Sequence, residues 1–348
     1  MIIGRALLVW TFAFHSYACG AYTLVSSFEG GSFFDNFRFF SSDDPSNGFV
    51  EYADRTAAVA NGYIRLVKNN YTKGRSWAYI GVDTESTTYN GRSSVRMISE
   101  DAWSHGVFIA DIRAAPTGCG TWPALWLVNP GPWPGFTGEI DLFESVHEMS
   151  TNTMTLHTCS GCVISNQSNL FSGHMQTRNC DVYAPDQASN VGCSIEATED
   201  LTAASNYTTA GGEFNRQGGG VYALEWDSSG LSIFFFPRRN IPKDIAAERP
   251  DPSSWETIPL ARFQGPDCVF DQHLSNLSLV INIDMCGDWA GQTWESSGCA
   301  ARTGVASCDD FVAKSPQAFT QAFWLIESVK VYQKHAAAGR SIITRSTV

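Results

Sequence analysis

Charged residues are scarce in this chain, and positive charge is scarcer than negative. Only 17% of its 348 residues are charged, and 23 Lys and Arg stand against 35 Asp and Glu, which gives a net charge of −12. Nucleic acids and anionic membrane surfaces attract proteins of the opposite sign. The composition therefore argues against both as partners, and it suits an uncharged ligand.

A hydrophobic run long enough to cross a bilayer as one helix is also missing. Residues 6–14 are apolar but too few to span a membrane. They follow a basic residue and precede the small residues 18–20, which is the layout of a secretory signal peptide. We therefore predict a signal peptide over residues 1–20, a secreted single domain over 21–334, and a flexible tail without a lipid-anchor signal over 335–348.

Segments with helical periodicity are few, whereas aromatic residues are abundant: the chain has 11 Trp, 11 Tyr and 22 Phe. Short apolar segments recur along the chain, separated by Gly, Pro, Asn and Asp, as strands and turns are. We predict strands over residues 64–67, 77–82, 94–98, 106–112, 124–128, 139–146, 154–158, 221–226, 231–236, 277–284 and 323–332. Many short strands with turns between them predict an all-β sandwich.

Two connections between these segments carry predictions of their own. The tripeptide Ser228-Ser229-Gly230, which lies between two predicted strands, indicates a hairpin. Residues 165–220 are polar, rich in Gly and Asn, and contain Cys180 and Cys193. We interpret this stretch as loops held by disulfides rather than as a linker between domains.

The cysteines indicate a disulfide-bonded protein. Removal of the signal peptide leaves 9 of the 10 cysteines, at positions 119, 159, 162, 180, 193, 268, 286, 299 and 308. Because secretion favours disulfides, we set aside a zinc site made of Cys159, Cys162 and His157. Because nine is odd, one thiol is free or pairs with another molecule, unless the signal peptide is cleaved elsewhere. Glycosylation sequons that fit a secreted glycoprotein occur at Asn70, Asn166, Asn206 and Asn276.

The segment Gly-Glu-Ile-Asp-Leu-Phe-Glu-Ser-Val, residues 138–146, places three carboxylates in an otherwise apolar strand. Asp and Glu are poor strand residues and are seldom buried without a partner. In a regular strand Glu139 and Asp141 share one face and Glu144 points the other way. A β-bulge, one extra residue at position 142 or 143, would return Glu144 to the shared face. A half-solvated strand is the ordinary alternative, but three acids on one face could supply the carboxyl pair of a retaining glycosidase.

The Glu-Ile-Asp-Leu-Phe-Glu stretch resembles the active-site strand of glycoside hydrolase family 16, in its laminarinase branch of secreted endo-β-1,3(4)-glucanases. That branch carries E-x-D-x-x-E with a bulge, whereas strict lichenases and xyloglucan-acting members carry E-x-D-x-E. Gly-Cys-Gly-Thr-Trp-Pro-Ala at 118–124 and Cys-Gly-Asp-Trp-Ala-Gly at 286–291 resemble further signatures of the branch. The resemblance runs from about residue 21 to residue 332. It implies a concanavalin A-like β-jelly-roll of two antiparallel sheets, with a concave substrate cleft.

The resemblance also implies a reaction, the endo-cleavage of β-1,3- or mixed β-1,3/1,4-glucan by retaining double displacement. Glu139 matches the family's nucleophile, Glu144 its general acid/base, and Asp141 the residue that orients the nucleophile. The chemistry requires no cofactor. Family members often hold a structural Ca²⁺ away from the cleft, but no dense run of Asp shows one in this sequence. We expect a monomer acting on a polysaccharide. Eight cysteines match family positions, which leaves Cys159 as the unpaired thiol.

Several indoles flank the acids in sequence. By the resemblance, Trp126 and Trp133 match positions where glucosyl rings stack on aromatic planes beside the carboxylates. Trp289, in the 286–291 signature, is a further candidate for stacking. Trp122 fits core packing better than sugar binding.

Two polar residues match family positions near the sugar chain. Arg96 matches an arginine that hydrogen-bonds the non-reducing side, with a surface salt bridge as its alternative. His157 matches a histidine near the reducing-side subsites, with a structural role as its alternative.

Two other functions could share this scaffold. A transglycosylase uses the same acids and replaces water with a sugar acceptor, so the sequence leaves that possibility open. A non-catalytic β-glucan-binding lectin usually lacks the acids. Because all three acids are present, we rank the lectin below the enzyme.

Overall fold

The computed structural model describes residues 22–68, 76–131, 138–167, 169–198 and 207–334. The predicted signal peptide and tail, Trp133, and the sequons at Asn70 and Asn206 lie outside these ranges. The strands are β1 (Tyr22–Glu29), β2 (Phe37–Phe39), β3 (Val50–Tyr52), β4 (Ile64–Lys68), β5 (Ser76–Gly81), β6 (Arg92–Ser94), β7 (Arg96–Trp103), β8 (Gly106–Ala114), β9 (Thr121–Val128), β10 (Glu139–Glu144), β11 (Thr153–His157), β12 (Cys162–Val163), β13 (His174–Met175), β14 (Cys193–Glu196), β15 (Gly220–Asp227), β16 (Gly230–Pro237), β17 (Ala261–Phe263), β18 (Asp267–Cys268), β19 (Leu277–Met285) and β20 (Phe323–Lys334).

Helices are short and lie between the strands. They are α1 (Arg55–Ala60), α2 (Gly211–Arg216), α3 (Lys243–Ala246), α4 (Phe270–His273), α5 (Cys299–Thr303) and α6 (Cys308–Lys314), with a π-helical turn at Gly287–Gly291 and 3₁₀ turns at Gly30–Ser32, Pro252–Ser254 and Pro316–Phe319. No helix among the described residues is long and apolar enough to cross a membrane.

Most strands belong to two antiparallel sheets. The front sheet has the order β13-β14-β11-β10-β9-β19-β7-β2, and the back sheet has the order β17-β16-β15-β8-β20-β5-β4, with β1 also paired to β20. The β-sandwich prediction is therefore confirmed. The predicted hairpin is confirmed too, since Asp227 and Gly230 pair across a turn formed by Ser228 and Ser229.

The two sheets bury one shared core. In the front sheet Leu125, Leu127, Ile281 and Ile283 belong to the same buried cluster as Ala110, Ile112, Leu224 and Ile326 of the back sheet. Side chains alternate between the two faces of a strand, so the neighbours of these core residues point away from the back sheet. The apolar residues of β10 thus fix which face its acids occupy.

The stretch from 165 to 220 is more structured than the sequence indicated. Its disulfide joins Cys180 to Cys193, but β14 then pairs with β11 and extends the front sheet, and α2 follows. The sequence did not signal these elements because a four-residue strand is too short to show periodicity and α2 begins with two glycines.

Four disulfides connect the described part of the chain: Cys119–Cys299, Cys162–Cys268, Cys180–Cys193 and Cys286–Cys308. Cys159 is the free cysteine among the described residues, which confirms the prediction for this thiol. Its Sγ lies 3.5 Å from Nδ1 of His273. Four disulfides are compatible with an extracellular location.

Candidate active site

Strand β10 lies in the middle of the front sheet and contains a β-bulge. Along β9, Asp141 and Phe143 pair with consecutive residues, so that Leu142 is the extra residue. Leu142 and Phe143 are both buried in the core, with 2% and 0% of their surface exposed. Two successive inward side chains return Glu144 to the outer face with Glu139. The predicted bulge is therefore confirmed, and we call Glu139, Asp141 and Glu144 the acid cluster.

The acid cluster is buried enough to hold protons near neutrality. Burial raises the pKa of Glu139, Asp141 and Glu144 each to about 8. The charge of Asp141 adds to the rise in the pKa of both glutamates, whereas the His157 imidazole lowers it. A general acid needs a proton at working pH, and such an environment supplies one.

His157 lies directly opposite Glu139 on β11. Its Nε2 is 3.3 Å from Oδ2 of Asp141 and 3.8 Å from Oε1 of Glu139. The ring therefore faces the acid cluster from the strand next to β10. A positive charge on it would favour the ionised form of Glu139.

Trp122 contacts the acid cluster directly, which corrects its assignment to core packing. Its indole Nε1–H donates a hydrogen bond of 2.7 Å to Oε1 of Glu144, and this bond lowers the pKa of Glu144 against the effect of burial. Trp122, Ala124 and Trp126 alternate along β9 and share its outer face. Ala124 lies opposite Glu144, so a small side chain separates the two indoles in front of the acid.

Trp126 and Arg96 form one aromatic–cationic surface beside the acids. Trp126 lies opposite Asp141 and donates its indole N–H to Oδ1 of Asn282 at 2.8 Å. The Arg96 guanidinium lies 5.0 Å from the centre of the Trp126 ring, within the range of a cation–π contact. Its Nη1 is 3.6 Å from Oδ1 of Asp44, and both side chains are nearly buried. Arg96 therefore does form a salt bridge, but a nearly buried one rather than one at the surface.

Trp289 lies in the π-helical turn and is half-buried. Its ring packs edge-on against Trp122, with centroids 6.0 Å apart. The structure thus brings Trp289, Trp122, Trp126, His157 and Arg96 around the acid cluster or next to a residue that contacts it. Their roles toward a sugar stay predictions.

Several polar residues of the site had no signal in the sequence. They are Asn152, which bonds to the bulge, Asn282, which holds Trp126, and Asp44, which pairs with Arg96. Each lies far from its partner in sequence or outside the recognised motifs, and an isolated Asn or Asp is ordinarily a turn residue.

Metal-binding side chains converge at two places in the described part of the chain: Cys286, Cys308 and Asp309, and Glu139, Asp141 and His157. In the first group, Cys286 and Cys308 form a disulfide with each other. The second group consists of two members of the acid cluster and His157. Ca²⁺ takes about six to eight oxygen ligands, which neither group offers. A structural calcium ion stays a prediction without assigned residues.

The fold and the acid cluster together define a class of protein. A β-sandwich with a bulged central strand and three carboxyls on its outer face, bordered by indoles, has the groups that retaining glycoside hydrolases use. The chain belongs to glycoside hydrolase family 16, since residues 37–332 match the family described as "XgeA-like, catalytic GH16 domain".

Curated fungal relatives agree with this membership. The chain is 39% identical over 318 residues to an endo-1,3(4)-β-glucanase of Arthroderma benhamiae, which covers 91% of this chain and 66% of that protein. It is 38% identical over 324 residues to a probable endo-1,3(4)-β-glucanase of Aspergillus clavatus, with 91% and 47% covered. The chain thus spans only part of the length of these relatives.

Solved structures share the fold. A crystal structure of an elongating family 16 β-1,3-glucosyltransferase matches with a TM-score of 0.80 at 38% identity, over 90% of this chain and 100% of that one. Laminarinase 16A from Phanerochaete chrysosporium, with β-glucans in its donor and acceptor sites, matches with a TM-score of 0.79 at 35% identity, over 90% and 100%. These matches confirm the jelly-roll prediction.

Proposed function

We propose that this chain is a retaining endo-glucanase that cleaves β-1,3- or mixed β-1,3/1,4-glucans. The observation that carries the proposal is the bulge at Leu142, which puts Glu139, Asp141 and Glu144 on one face of β10. The names of the fungal relatives support the substrate class. Trp126 and Trp289 supply apolar planes for sugar rings, and Arg96 supplies hydrogen-bond donors.

The proposed reaction uses the two glutamates in turn. Glu139 attacks the anomeric carbon while Glu144 protonates the departing glycosidic oxygen, and Glu144 then deprotonates the water that releases the sugar. His157, whose Nε2 is 3.8 Å from Glu139, favours the ionised carboxylate of Glu139. Glu139 needs this form for the attack and regains it when the sugar is released. Asp141 lies between the glutamates along the strand and orients Glu139. Both steps proceed with the side chains of the chain alone.

Product analysis tests the substrate class and the stereochemistry. Laminarin, lichenan and barley β-glucan are digested side by side, and the product linkages are determined. We expect internal cleavage of at least one of them. Proton NMR of the first product should show the β-anomer, since two inversions retain configuration. A first-formed α-anomer would refute the double displacement.

Substitution of either glutamate tests its role. Glu139→Gln and Glu144→Gln should each lower kcat on laminarin by about 10³-fold, with little change in thermal unfolding. Glu51→Gln serves as the matched control, because Glu51 is exposed on β3, and its activity should equal that of the wild type. A wild-type kcat in Glu139→Gln or Glu144→Gln would refute the catalytic role proposed for that glutamate.

Transglycosylation is the second candidate, and the match to an elongating β-1,3-glucosyltransferase favours it. The two activities differ only in whether water or a sugar takes the glycosyl group from Glu139. Sizing of the products with excess laminari-oligosaccharide distinguishes them. Products longer than the donor indicate transfer, and a rise in reducing ends alone indicates hydrolysis.

We further propose that the protein is secreted as a monomeric glycoprotein after removal of residues 1–20. The disulfides and the sequons Asn166 and Asn276 support this. N-terminal sequencing of protein from culture medium should begin at Ala21, and a longer N-terminus would contradict the cleavage site. Light scattering would reveal any dimer.

A further inference from the structure

The bulge in β10 depends on one buried side chain from the neighbouring strand. On the β11 side, Asp141 pairs with Thr155 and Glu144 with Thr153, so two residues of β10 face one of β11. Such a bulge interrupts the ladder of backbone hydrogen bonds. Buried backbone groups without partners would be costly.

Asn152, just before β11, makes the bonds that the bulge interrupts. Its Nδ2–H donates to the carbonyl of Leu142 at 2.9 Å, and its Oδ1 accepts from the N–H of Glu144 at 2.8 Å. One amide therefore spans the bulge and binds the backbone of Glu144. We propose that Asn152 is a positioning residue that sets where Glu144 stands as general acid/base; the inference rests on the proposed function.

Asn152 is itself held at every hydrogen-bonding group. Its backbone N–H donates to Oγ1 of Thr209 at 2.9 Å, and its carbonyl accepts from the N–H of Ala197 at 2.9 Å. The hydroxyl of Tyr222, on β15 of the back sheet, donates to the carbonyl of Thr209. Asn152 and Tyr222 are 0% exposed. The side chain of Asn152 thus spans the bulge of the front sheet, and its backbone is linked through Thr209 to Tyr222 of the back sheet.

Glu144 is consequently anchored at both ends. Asn152 holds its backbone, and Trp122 holds its carboxyl at 2.7 Å. The two carboxyls of a retaining enzyme must stand about 5–5.5 Å apart, and a displacement of about 1 Å can lower the rate roughly 100-fold. Loss of the amide should therefore impair acid catalysis more than substrate binding.

Asn152→Ala is tested against Asn215→Ala, a matched control. Asn215 makes the same pair of bonds with the backbone of Ala115, donating to its carbonyl at 2.9 Å and accepting from its N–H at 2.8 Å, but it lies on α2, away from the bulge. Both variants lose one amide that spans a backbone pair. Only Asn152→Ala loses the contact with Glu144.

Two substrates separate positioning from damage to the fold. On laminarin, kcat/KM of Asn152→Ala should fall roughly 100-fold, mainly in kcat. On 2,4-dinitrophenyl β-laminaribioside, whose leaving group departs without protonation, it should fall less than about tenfold. Asn215→Ala should stay within about twofold on both. Equal losses on both substrates for Asn152→Ala, or behaviour like that of Asn215→Ala, would overturn the proposal.

Asn152→Asp keeps the test decisive even where the Ala variant does not fold. A protonated carboxyl can donate to Leu142 and accept from Glu144 as the amide does, whereas the ionised form presents a second acceptor to the Leu142 carbonyl. Glu144 and the neutral phenol of Tyr222 are the titratable groups that face it from β10 and β15. Because ionisation of either this carboxyl or Glu144 then ends acid catalysis, the basic limb of kcat/KM should move to lower pH. An unmoved limb would refute the role of Asn152.

The outcomes distinguish this inference from the proposed function. A wild-type protein that cleaves none of laminarin, lichenan, barley β-glucan and the aryl glycoside would refute both. An active wild type with an Asn152→Asp profile identical to its own would refute the inference alone.

Discussion

Glu139 and Glu144 have similar burial but different neighbours. Burial raises the pKa of both to about 8. Glu139 faces the His157 imidazole, whereas Glu144 accepts the indole N–H of Trp122. The hydrogen bond favours the ionised form of Glu144, which is the form that must deprotonate water in the second step. Burial favours the protonated form, which the first step requires.

Trp122→Phe should shift the pH profile of the enzyme. Loss of the indole N–H removes an interaction that lowers the pKa of Glu144, so the pKa rises and the basic limb of kcat/KM moves to higher pH. We expect about one pH unit, since one unit corresponds to about 1.4 kcal/mol and hydrogen bonds to charged groups contribute about 1.5–3 kcal/mol.

Trp126→Phe is the control for this shift, because the Trp126 indole bonds to Asn282 and not to an acid. Its basic limb should coincide with that of the wild type. A basic limb for Trp122→Phe that stays in place would mean that the bond to Glu144 is absent in solution.

The sequence predicted which residues form the acid cluster, but it did not predict the hydrogen-bond partners of the side chains around it. The three acids and the bulge followed from the spacing in one strand. The bonds of Trp122 to Glu144 and of Trp126 to Asn282 depend on the register of β9 with β10 and β19. The second bond joins residues 156 apart in sequence, and no local pattern encodes such a distance.

Two aspartates hold the loop before β3 next to β19: Asp44 lies in the loop itself, and Asp284 lies on β19. Oδ2 of Asp44 accepts the N–H groups of Ser46 at 2.9 Å and Gly48 at 3.0 Å. Gly48 lies so close to Asp284 that an added Cβ would be 1.9 Å from its Oδ1, so this loop needs glycine there. Burial, together with the nearby charge of Asp44, raises the pKa of Asp284 well above its usual range.

Asp284→Asn should alter the pH dependence of stability. The unfolded chain releases the Asp284 proton near pH 4, whereas the folded chain retains it to higher pH, so wild-type stability falls as pH rises above that value. The neutral amide removes this fall. We expect the variant to gain on the order of 1 kcal/mol relative to the wild type at pH 8, measured by chemical unfolding at pH 4 and 8.

Asp267→Asn is the control for Asp284→Asn, since Asp267 is exposed on β18. The free energy of unfolding of this variant should change between pH 4 and pH 8 by the same amount as that of the wild type. If Asp284→Asn and the wild type keep a constant difference in free energy of unfolding, the carboxyl does not carry a retained proton.

Most of the long strands were predictable, with the exception of the eight-residue β1 (Tyr22–Glu29), whereas the shortest strands were not. The prediction of 231–236 became β16 (Gly230–Pro237), and that of 277–284 became β19 (Leu277–Met285). Both predicted segments are mainly apolar, and turn-forming residues stand beside them, Gly230 and Pro237 beside the first and Asn276 beside the second. The four residues of β14 and the three of β2 are strands because neighbouring strands pair with them, a condition that their own composition does not reveal.

Considered as a whole, the molecule is cross-linked over very different lengths of chain. Cys119–Cys299 joins residues 180 apart, whereas Cys180–Cys193 joins residues 13 apart. A cross-link stabilises chiefly by restricting the unfolded chain, and more so for a longer loop.

Removal of the long cross-link should therefore destabilise more. The Cys119→Ala, Cys299→Ala double variant should lose about 2.3 kcal/mol more than Cys180→Ala, Cys193→Ala, by urea unfolding under oxidising conditions. The second double variant is the control for loss of two sulfurs. Equal losses would show that native-state contacts at each bond, rather than loop length, determine its contribution.

The sandwich followed from the number and spacing of strands, but the order of strands in each sheet did not. β9 pairs with β10, its neighbour in sequence, and also with β19, which follows some 150 residues later in the chain. Only the resemblance to the family implied a jelly-roll. Pairings between distant strands are selected by the whole core, to which each strand contributes a few residues.

The surplus residue Leu142 has a consequence for changes in chain length. Without it, the strand would read Glu139-Ile140-Asp141-Phe143-Glu144, a plain alternation in which the acids again lie on one side. Loss of this residue would therefore keep the three acids on one face of the sheet, whereas a second insertion beside it would turn Glu144 toward the core. A single deletion can thus convert a bulged strand into an unbulged one, and the three acids lie on the same face of the sheet before and after it.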